Sequence, residues 1–178
     1  MVTRRDFLGY SAAAFASLMT PARANTLRHD HGDKILNLYN IHTGESLRAS
    51  YWADGQLQPD ELFAINKIMR DHRSKEVTSM DLKLLDFMHA MQQSIGKSGH
   101  YEIISAYRSA SSNAYLRNSS NGVAKRSLHM RGKAIDVRMT GVDLKHLRQA
   151  ALRLHAGGVG YYPDSNFIHV DTGRPRFW

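Results

Sequence analysis

The chain of 178 residues contains no cysteine, only four prolines and no long apolar run. Without cysteine it has no disulfide framework, no thiol nucleophile and no Cys-ligated zinc or iron–sulfur site, so any metal must be held by His, Asp or Glu. No stretch reaches the roughly 20 apolar residues of a membrane-spanning helix, which argues against an integral membrane span. The apolar fraction of 42% and the charged fraction of 22% are those of a globular protein, and the length fits one domain.

Acidic residues are the scarcer charged class, at 16 against 24 lysines and arginines, for a formal charge of +8. Such an excess favours an anionic partner, whether nucleic acid, a membrane surface or an acidic cell-wall polymer. The basic residues are spread thinly, in runs no longer than a pair. Composition alone therefore does not choose among these partners.

The amino terminus has the three parts of an export signal. Paired arginines at 4–5 precede a short apolar stretch over 8–20, and an A-x-A cleavage sequence occupies 22–24. Paired arginines of this kind are typical of the twin-arginine pathway; the alternative is an amphipathic first helix. We predict a signal over 1–24 and a mature periplasmic domain over 25–178. Its formal charge is +6, from 21 basic and 15 acidic residues. Export argues against a nucleic-acid partner.

Hydrophobic periodicity predicts an α+β fold, a small antiparallel sheet backed by helices. Period-two alternation indicates strands, and apolar residues three or four apart indicate helices. The predicted elements are a hairpin over 36–52, a helix from Pro59, a helix from around Asp81, a strand over 101–107, a short helix around 114–117, a strand over 133–138, a helix from Asp143 to Gly157-Gly158, and strands over 159–162 and 167–171.

Three residues have side chains suited to holding a metal: His129, Asp136 and His169. Two imidazoles and one carboxylate from separate elements can form a tetrahedral zinc site whose fourth position is a water. Such a site lowers the pKa of that water to about 7 and polarises a carbonyl. Spacing alone leaves open an alternative, in which these are polar residues at strand ends whose hydrogen bonds are made without a metal.

The segment Ser127-x-His129-x-x-Gly132-x-Ala134-x-Asp136 matches a spaced signature. With it, the chain resembles the D-alanyl-D-alanine zinc peptidase and hedgehog superfamily. The likeness extends over most of the mature chain and is closest to the periplasmic murein endopeptidase K group. The segments that carry it are Asn40–Glu45, Ser105–Ser109, Gly157–Tyr162 and Phe167–Gly173.

The resemblance implies a hedgehog/DD-peptidase-like fold, a Zn²⁺ cofactor and hydrolysis of peptide cross-links between peptidoglycan stem peptides. It implies that His129, Asp136 and His169 are the zinc ligands. It also implies that Arg108 contacts the substrate and stabilises the oxyanion, a role that suits a permanently charged fork of donors. The alternative for Arg108 is an arginine on a surface loop.

The pattern leaves several candidates for the general base that takes a proton from the zinc-bound water. Related enzymes carry a glutamate three residues before the last histidine or a histidine two before it, and here these positions hold Asn166 and Phe167. Neither side chain accepts a proton at neutral pH. Asp171 projects on the same side of its strand as His169, so it is a candidate base or a partner that orients the imidazole. Asp164 in the preceding turn is a further candidate.

Two alternative functions remain at this point. One is a zinc carboxypeptidase that trims stem peptides, and the other is a non-catalytic, zinc-stabilised peptidoglycan-binding module. Tyr161 and Tyr162 either line a substrate groove or pack on the sheet. The pattern specifies neither the oligomeric state nor which cross-link is cut, D-Ala–diaminopimelate or diaminopimelate–diaminopimelate.

Overall fold

A computed structural model describes residues 32–96, 99–119 and 123–178. The predicted export signal lies outside these residues. Within them, no helix combines the length and apolar character needed to cross a bilayer. In chain order the elements are β1 (Lys34–Asn40), β2 (Ser46–Ala53), β3 (Gln56–Leu57), α1 (Pro59–Ile68), α2 (Leu82–Ile95), β4 (Tyr101–Ser105), α3 (Ala110–Ser119), a 3₁₀ helix (Leu128–Arg131), β5 (Ala134–Met139), α4 (Leu144–Leu154), β6 (Gly158–Tyr162), β7 (Phe167–Asp171) and β8 (Arg176–Phe177).

The eight strands form one sheet in the order β3-β2-β1-β4-β5-β7-β6-β8. This confirms the predicted α+β class and the hairpin of β1 and β2. The sheet is mostly antiparallel, but β1 pairs with β4 and β6 pairs with β8 in parallel. Parallel partners need a long connection, and α1 and α2 supply it between β1 and β4. These two parallel pairs were not expected from the sequence.

Helices α1, α2 and α4 cover one face of the sheet. Helix α1 packs on β1 and β2, α2 packs on β1 and α4, and α4 packs on β5, β6 and β7. Ile135 and Val137 of β5 and Ile168 and Val170 of β7 are fully buried in this core. Because successive side chains of a strand point to opposite faces, the residues between them face away from the helices. The central strands can therefore hold a polar site on the face opposite α1, α2 and α4.

The predicted helix starts are confirmed. Helix α1 begins at Pro59, which suits the first helical position because proline lacks the N–H that would be unpaired there. The Asp81 carboxylate accepts the Lys83 N–H at the start of α2. Asp143 accepts two backbone N–H groups at the start of α4. Helix α3 is longer than predicted and covers Ala110–Ser119.

The predicted end of α4 at the glycine pair was wrong. The helix ends at Leu154, and His155 takes the left-handed conformation (φ 49°) that usually belongs to glycine. Gly157 and Gly158 instead lie where β6 meets β7. A Cβ at Gly157 would stand 1.7 Å from the Asp171 carbonyl oxygen, and one at Gly158 would stand 2.6 Å from Asp171 Oδ2. The glycine pair is thus required for close approach to Asp171.

Substituting Gly157 tests this requirement. Gly157→Ala should lower the free energy of unfolding by about 3 kcal/mol, because backbone would have to move to admit the methyl group. Gly32→Ala is the control: no atom lies within 4 Å of its Cβ position, so its effect should stay within about 0.5 kcal/mol. Urea unfolding of both variants measures the difference. Equal free energies of unfolding for the two variants would show that Gly157 does not lie tightly against the Asp171 carbonyl.

Candidate active site

The pairing register of the central strands brings the site together. Asp136 on β5 pairs with Ser105 on β4 and with His169 on β7. On the far side of β7, His169 pairs with Gly160 of β6. Backbone hydrogen bonding therefore places a carboxylate and an imidazole side by side, on the sheet face opposite the helices.

His129 joins them from the 3₁₀ helix before β5. That turn ends at Gly132, whose φ of 63° allows the chain to turn into the strand. The His129 Nε2 atom lies 3.2 Å from His169 Nδ1 and 3.3 Å from Asp136 Oδ1, and His169 Nδ1 lies 2.9 Å from Asp136 Oδ1. The three side chains are 3%, 7% and 12% exposed for His129, Asp136 and His169. The predicted ligand set therefore converges, and we call it the triad.

The outer nitrogen of each imidazole is fixed by an acceptor. His129 Nδ1 lies 2.7 Å from the Ala106 carbonyl oxygen, and His169 Nε2 lies 2.8 Å from Asp171 Oδ2. A carbonyl or an ionised carboxylate can only accept, so these outer nitrogens carry the N–H. In the neutral rings, His129 Nε2 and His169 Nδ1 then direct lone pairs toward Asp136. This is the tautomer pattern of metal-binding histidines.

The donor set and its spacing fit a zinc ion. With bonds of 2.0–2.1 Å to nitrogen or oxygen, the ligand atoms of a tetrahedral zinc stand about 3.3 Å apart. The three distances within the triad, 2.9–3.3 Å, are close to this spacing. Among the described residues, no other group of three such side chains could hold a metal.

The charge state of the triad suits a cation. Burial lowers the pKa of His129. Burial opposes ionisation of Asp136, but the two neighbouring imidazoles outweigh it and hold the pKa of this carboxyl well below its ordinary value. Burial would also lower the pKa of His169, but its bonds to Asp136 and Asp171 raise it. The triad thus keeps an ionised carboxylate, which is the form that binds a metal.

Arg108 lies against the triad rather than on a surface loop. Its Nη2 donates to Asp136 Oδ2 at 2.5 Å and contacts His129 Nε2 at 3.2 Å, while Nε donates to Ser105 Oγ at 2.8 Å. The side chain is 12% exposed. Among the described residues, Nη1 makes no hydrogen bond. One donor group of a buried guanidinium is therefore available beside the triad.

The segment that carries Arg108 is anchored by a buried carboxylate. Asp71 Oδ2 accepts the Ser109 N–H and the Ser109 hydroxyl, both at 2.8 Å, and Asp71 Oδ1 accepts the Arg73 N–H at 2.8 Å. Burial would raise the pKa of Asp71, but these bonds and the Ser112 hydroxyl outweigh it and hold the pKa well below its ordinary value. Asp71 therefore fixes the backbone next to Arg108.

Asp171 is saturated with donors and fully buried. Burial would raise its pKa, but hydrogen bonds from His169, Arg176 and the Gly173 N–H hold the pKa well below its ordinary value. The two carboxylate oxygens accept five hydrogen bonds, from the Gly158 N–H (3.3 Å), the Gly173 N–H (2.8 Å), Arg176 Nη1 (3.0 Å), Arg176 Nη2 (2.6 Å) and His169 Nε2 (2.8 Å). Oδ1 accepts three of these bonds and Oδ2 accepts two.

A cleft of about 430 Å³ opens over the triad. Arg108, Arg126 and Trp178 are among the residues that line it. Asp164, the other candidate base, lies exposed in the turn between β6 and β7 and does not line the cleft. Asn166, at the position where the resemblance led us to look for a glutamate, is exposed in the same turn. Neither of these two residues touches the triad.

The two tyrosines divide between the roles predicted for them. Tyr161 packs against the core, with the Arg148 guanidinium 5.1 Å from its ring. Tyr162 lines the cleft instead. The two residues are consecutive in β6, and successive side chains of a strand point to opposite faces of the sheet. This alternation explains why one tyrosine packs on the core and the other lines the cleft.

Sequence reasoning missed four contributors: Ala106, Asp71, Arg176 and Trp178. Ala106 acts through its backbone oxygen, which no side-chain pattern can reveal. Asp71 stands 38 positions from Ser109, and no local motif links them. Arg176 and Trp178 follow Phe167–Gly173, the last segment that carries the family resemblance. Their distance in sequence from Asp171 does not by itself indicate that they contact the site.

Comparison with known proteins gives the family of the chain. Residues 28–178 match the family described as peptidoglycan L,D-endopeptidase MepK, in peptidase group M15. The chain belongs to this family. The MepK protein of Escherichia coli K12 is 39% identical over 175 residues, covering 98% of this chain and 96% of the relative. A probable MepK from Haemophilus influenzae is 40% identical over 176 residues, covering 98% and 95%. The resemblance noted from the motif is confirmed.

Removing the Asp71 charge tests the anchor of the Arg108 segment. Asp71→Asn should lower the free energy of unfolding by about 2–3 kcal/mol, because the amide NH₂ would face backbone donors. Since the folded pKa is depressed, this stabilisation is present above about pH 4 and is lost as pH falls below it. When the pH is lowered from 5 to below 4, the free energy of unfolding should therefore fall less in the variant than in wild type. Urea unfolding across pH measures both effects.

Asp164→Asn is the matched control, because that carboxylate is exposed in a turn. It should leave the unfolding free energy and its pH dependence unchanged. If the two variants behave alike, Asp71 does not anchor the segment.

Proposed function

We propose that this protein is a zinc metallopeptidase that hydrolyses peptide cross-links in peptidoglycan. The observation that carries the proposal is the convergence of His129 Nε2, Asp136 Oδ1 and His169 Nδ1 beside a buried arginine. The chain belongs to a family described as a peptidoglycan endopeptidase, and this membership supports peptidoglycan as the substrate class. When bound, zinc supplies Lewis acidity, which polarises a carbonyl and lowers the pKa of water to about 7.

The chain's own residues prepare the site for this chemistry. The Ala106 carbonyl and the Asp171 carboxylate hold the two imidazoles in the tautomer that binds a metal. Arg108 presents its unused Nη1 donor in the cleft, where it would donate to the carbonyl oxygen as negative charge develops on it. The ion pair with Asp136 and the Ser105 hydroxyl hold the guanidinium in this orientation before substrate arrives.

For Asp171 we propose the orienting role rather than that of general base. A base must reach the proton it takes and have a pKa near the working pH. Asp171 is fully buried, and Arg176 binds both of its oxygens. Its remaining contact with the triad is the bond to His169 Nε2. Asp171 is therefore a positioning residue for a zinc ligand.

The scissile bond we propose is an L,D bond. The names of the relatives state L,D-endopeptidase activity. A diaminopimelate–diaminopimelate cross-link joins an L centre to a D centre, whereas a D-Ala–diaminopimelate cross-link joins two D centres. The first is thus the cross-link we assign to this chain.

The proposed location is the periplasm, where peptidoglycan lies. Two sequence features support it: the paired arginines at 4–5 before an apolar stretch, and the excess of basic residues. A cationic protein is attracted to a sacculus whose stem peptides carry free carboxylates.

Metal binding can be measured without activity. Purified wild type should hold about one zinc per chain, and His129→Ala or His169→Ala should weaken zinc affinity at least about 100-fold, because one of the nitrogens that bind the metal is lost. Elemental analysis after gel filtration gives the stoichiometry. His146→Ala is the control, since His146 is exposed on α4, and it should retain full occupancy. Stoichiometric zinc in His169→Ala would contradict the ligand assignment.

Activity is tested on isolated sacculi and purified cross-linked stem peptides of both types, with product mass spectrometry. The zinc-loaded protein should open diaminopimelate–diaminopimelate links, and chelation should stop it. Arg108→Lys should keep zinc but lower kcat roughly 100-fold, because the planar fork is lost. Arg153→Lys on the exposed face of α4 should leave kcat unchanged.

The other functions give different products. Release of single D-amino acids with intact cross-links would indicate a carboxypeptidase. Binding to sacculi with full zinc and no cleavage would indicate a non-catalytic module. Cleavage of D-Ala–diaminopimelate links alone would reject the L,D assignment.

A further inference from the structure

Trp178 has a position that the proposed chemistry does not yet use. Its ring lies 5.3 Å from the His169 ring, tilted by 45°, and it lines the same cleft as the triad. The residue is 47% exposed. A large aromatic surface thus faces water directly beside a proposed zinc ligand.

The indole is held in one orientation by its surroundings. Its Nε1–H donates to the Tyr162 hydroxyl at 2.8 Å. Its backbone N–H donates to the Val159 carbonyl at 3.2 Å, and its carbonyl accepts the Tyr161 N–H at 3.0 Å. Gly160 makes room for the ring, because a Cβ there would lie 2.7 Å from an indole carbon. The exposed face is therefore rigid before any ligand binds.

Two further contacts connect this ring to its neighbours. The Arg176 guanidinium, which binds Asp171, lies 4.9 Å from the indole ring. Tyr162 stacks on Phe167, with ring centroids 4.7 Å apart and planes 20° apart. We call Trp178, Tyr162 and Phe167 the aromatic wall; all three line the cleft.

We propose that the aromatic wall is a substrate subsite that packs against the aliphatic chain of the residue next to the scissile bond. This rests on the proposed function. One residue of extended chain spans about 3.3–3.6 Å, so a ring 5.3 Å from His169 reaches the residue that flanks the reacting carbonyl. Diaminopimelate has three methylene groups between its two centres, which suit a rigid apolar face.

The charges of the cleft support the same orientation. Arg108 contacts the triad at His129 and Asp136, whereas Trp178 contacts it at His169. Arg126 is a further guanidinium of the lining. A carboxylate of the stem peptide thus has a cationic partner in Arg108, at the other two members of the triad, and the methylene chain has the aromatic surface. Burying that surface favours binding by excluding water.

The test compares zinc-loaded full-length variants on a cross-linked stem-peptide dimer that lacks glycan. Trp178→Ala should raise KM at least about tenfold with kcat within about twofold, the signature of lost uniform binding. Trp178→Phe should recover most of the loss. Gly160→Ala should reproduce the defect, because its methyl group displaces the indole. Phe177→Ala is the matched control: this neighbour is 72% exposed and does not line the cleft, so KM should stay unchanged.

An unchanged KM in Trp178→Ala at full zinc occupancy would overturn the subsite. So would equal effects of Trp178→Ala and Phe177→Ala, or binding of peptide-free glycan in preference to the peptide dimer. If Trp178→Ala loses zinc or fails to fold, Gly160→Ala decides the matter by the same KM criterion.

Fluorescence separates this inference from the proposed function. Trp52 and Trp178 are the two tryptophans of the chain, so Trp52→Phe leaves one fluorophore beside the site. The peptide dimer should shift its emission. If wild type leaves the cross-links intact but the emission still shifts, only the proposed function fails. If neither cleavage nor shift occurs, both fail.

Discussion

The register between β5 and β7 is the constraint on which the site depends. It sets Asp136 directly across from His169, while Ile135, Val137 and their neighbours on β7 face the helices. A slip of one residue would turn the polar residues into the core and the apolar ones into the cleft. The free energy of burying the apolar face therefore also holds the carboxylate next to the imidazole. Core packing and the geometry of the triad are two results of one pairing.

Asp171 connects this pairing to the rest of the cleft. Its backbone carbonyl lies against Gly157, and its carboxylate gathers donors from β6, the segment after β7, and Arg176. Fixing His169 Nε2 as a donor leaves Nδ1 with a lone pair for a metal. Arg176 in turn lies over Trp178. One buried charge thus orients a proposed zinc ligand and, through Arg176, supports the surface proposed to receive substrate.

Much of this could be predicted from the sequence, because the deciding signals were local. Alternation predicted the first hairpin, and Pro59, Asp81 and Asp143 marked helix starts through interactions within one turn. The spaced motif from Ser127 to Asp136 predicted the family and two of the residues that converge, and the segment Phe167–Gly173 supplied the third, His169. These features depend on residues close in sequence or on a pattern that already encodes the site.

The remaining features depend on contacts between distant segments. Asp71 anchors Ser109 across 38 positions, and the His129 tautomer depends on a backbone carbonyl. The glycines at 157 and 158 resembled a helix end but serve a close approach to Asp171, which only the paired strands reveal. The choice between base and orienting partner for Asp171 likewise required its five donors. Spacing cannot show how many lone pairs of a carboxylate are already used.

X-ray absorption at the zinc edge of the loaded full-length protein is the most direct measurement of the central claim. We expect four nitrogen or oxygen ligands at about 2.0–2.1 Å, with the outer-shell scattering of two imidazoles. Loss of one imidazole contribution should follow His169→Ala, while Phe177→Ala should leave the spectrum unchanged. A shell of six oxygens, or a spectrum without histidine scattering, would contradict a zinc centre built by His129, Asp136 and His169.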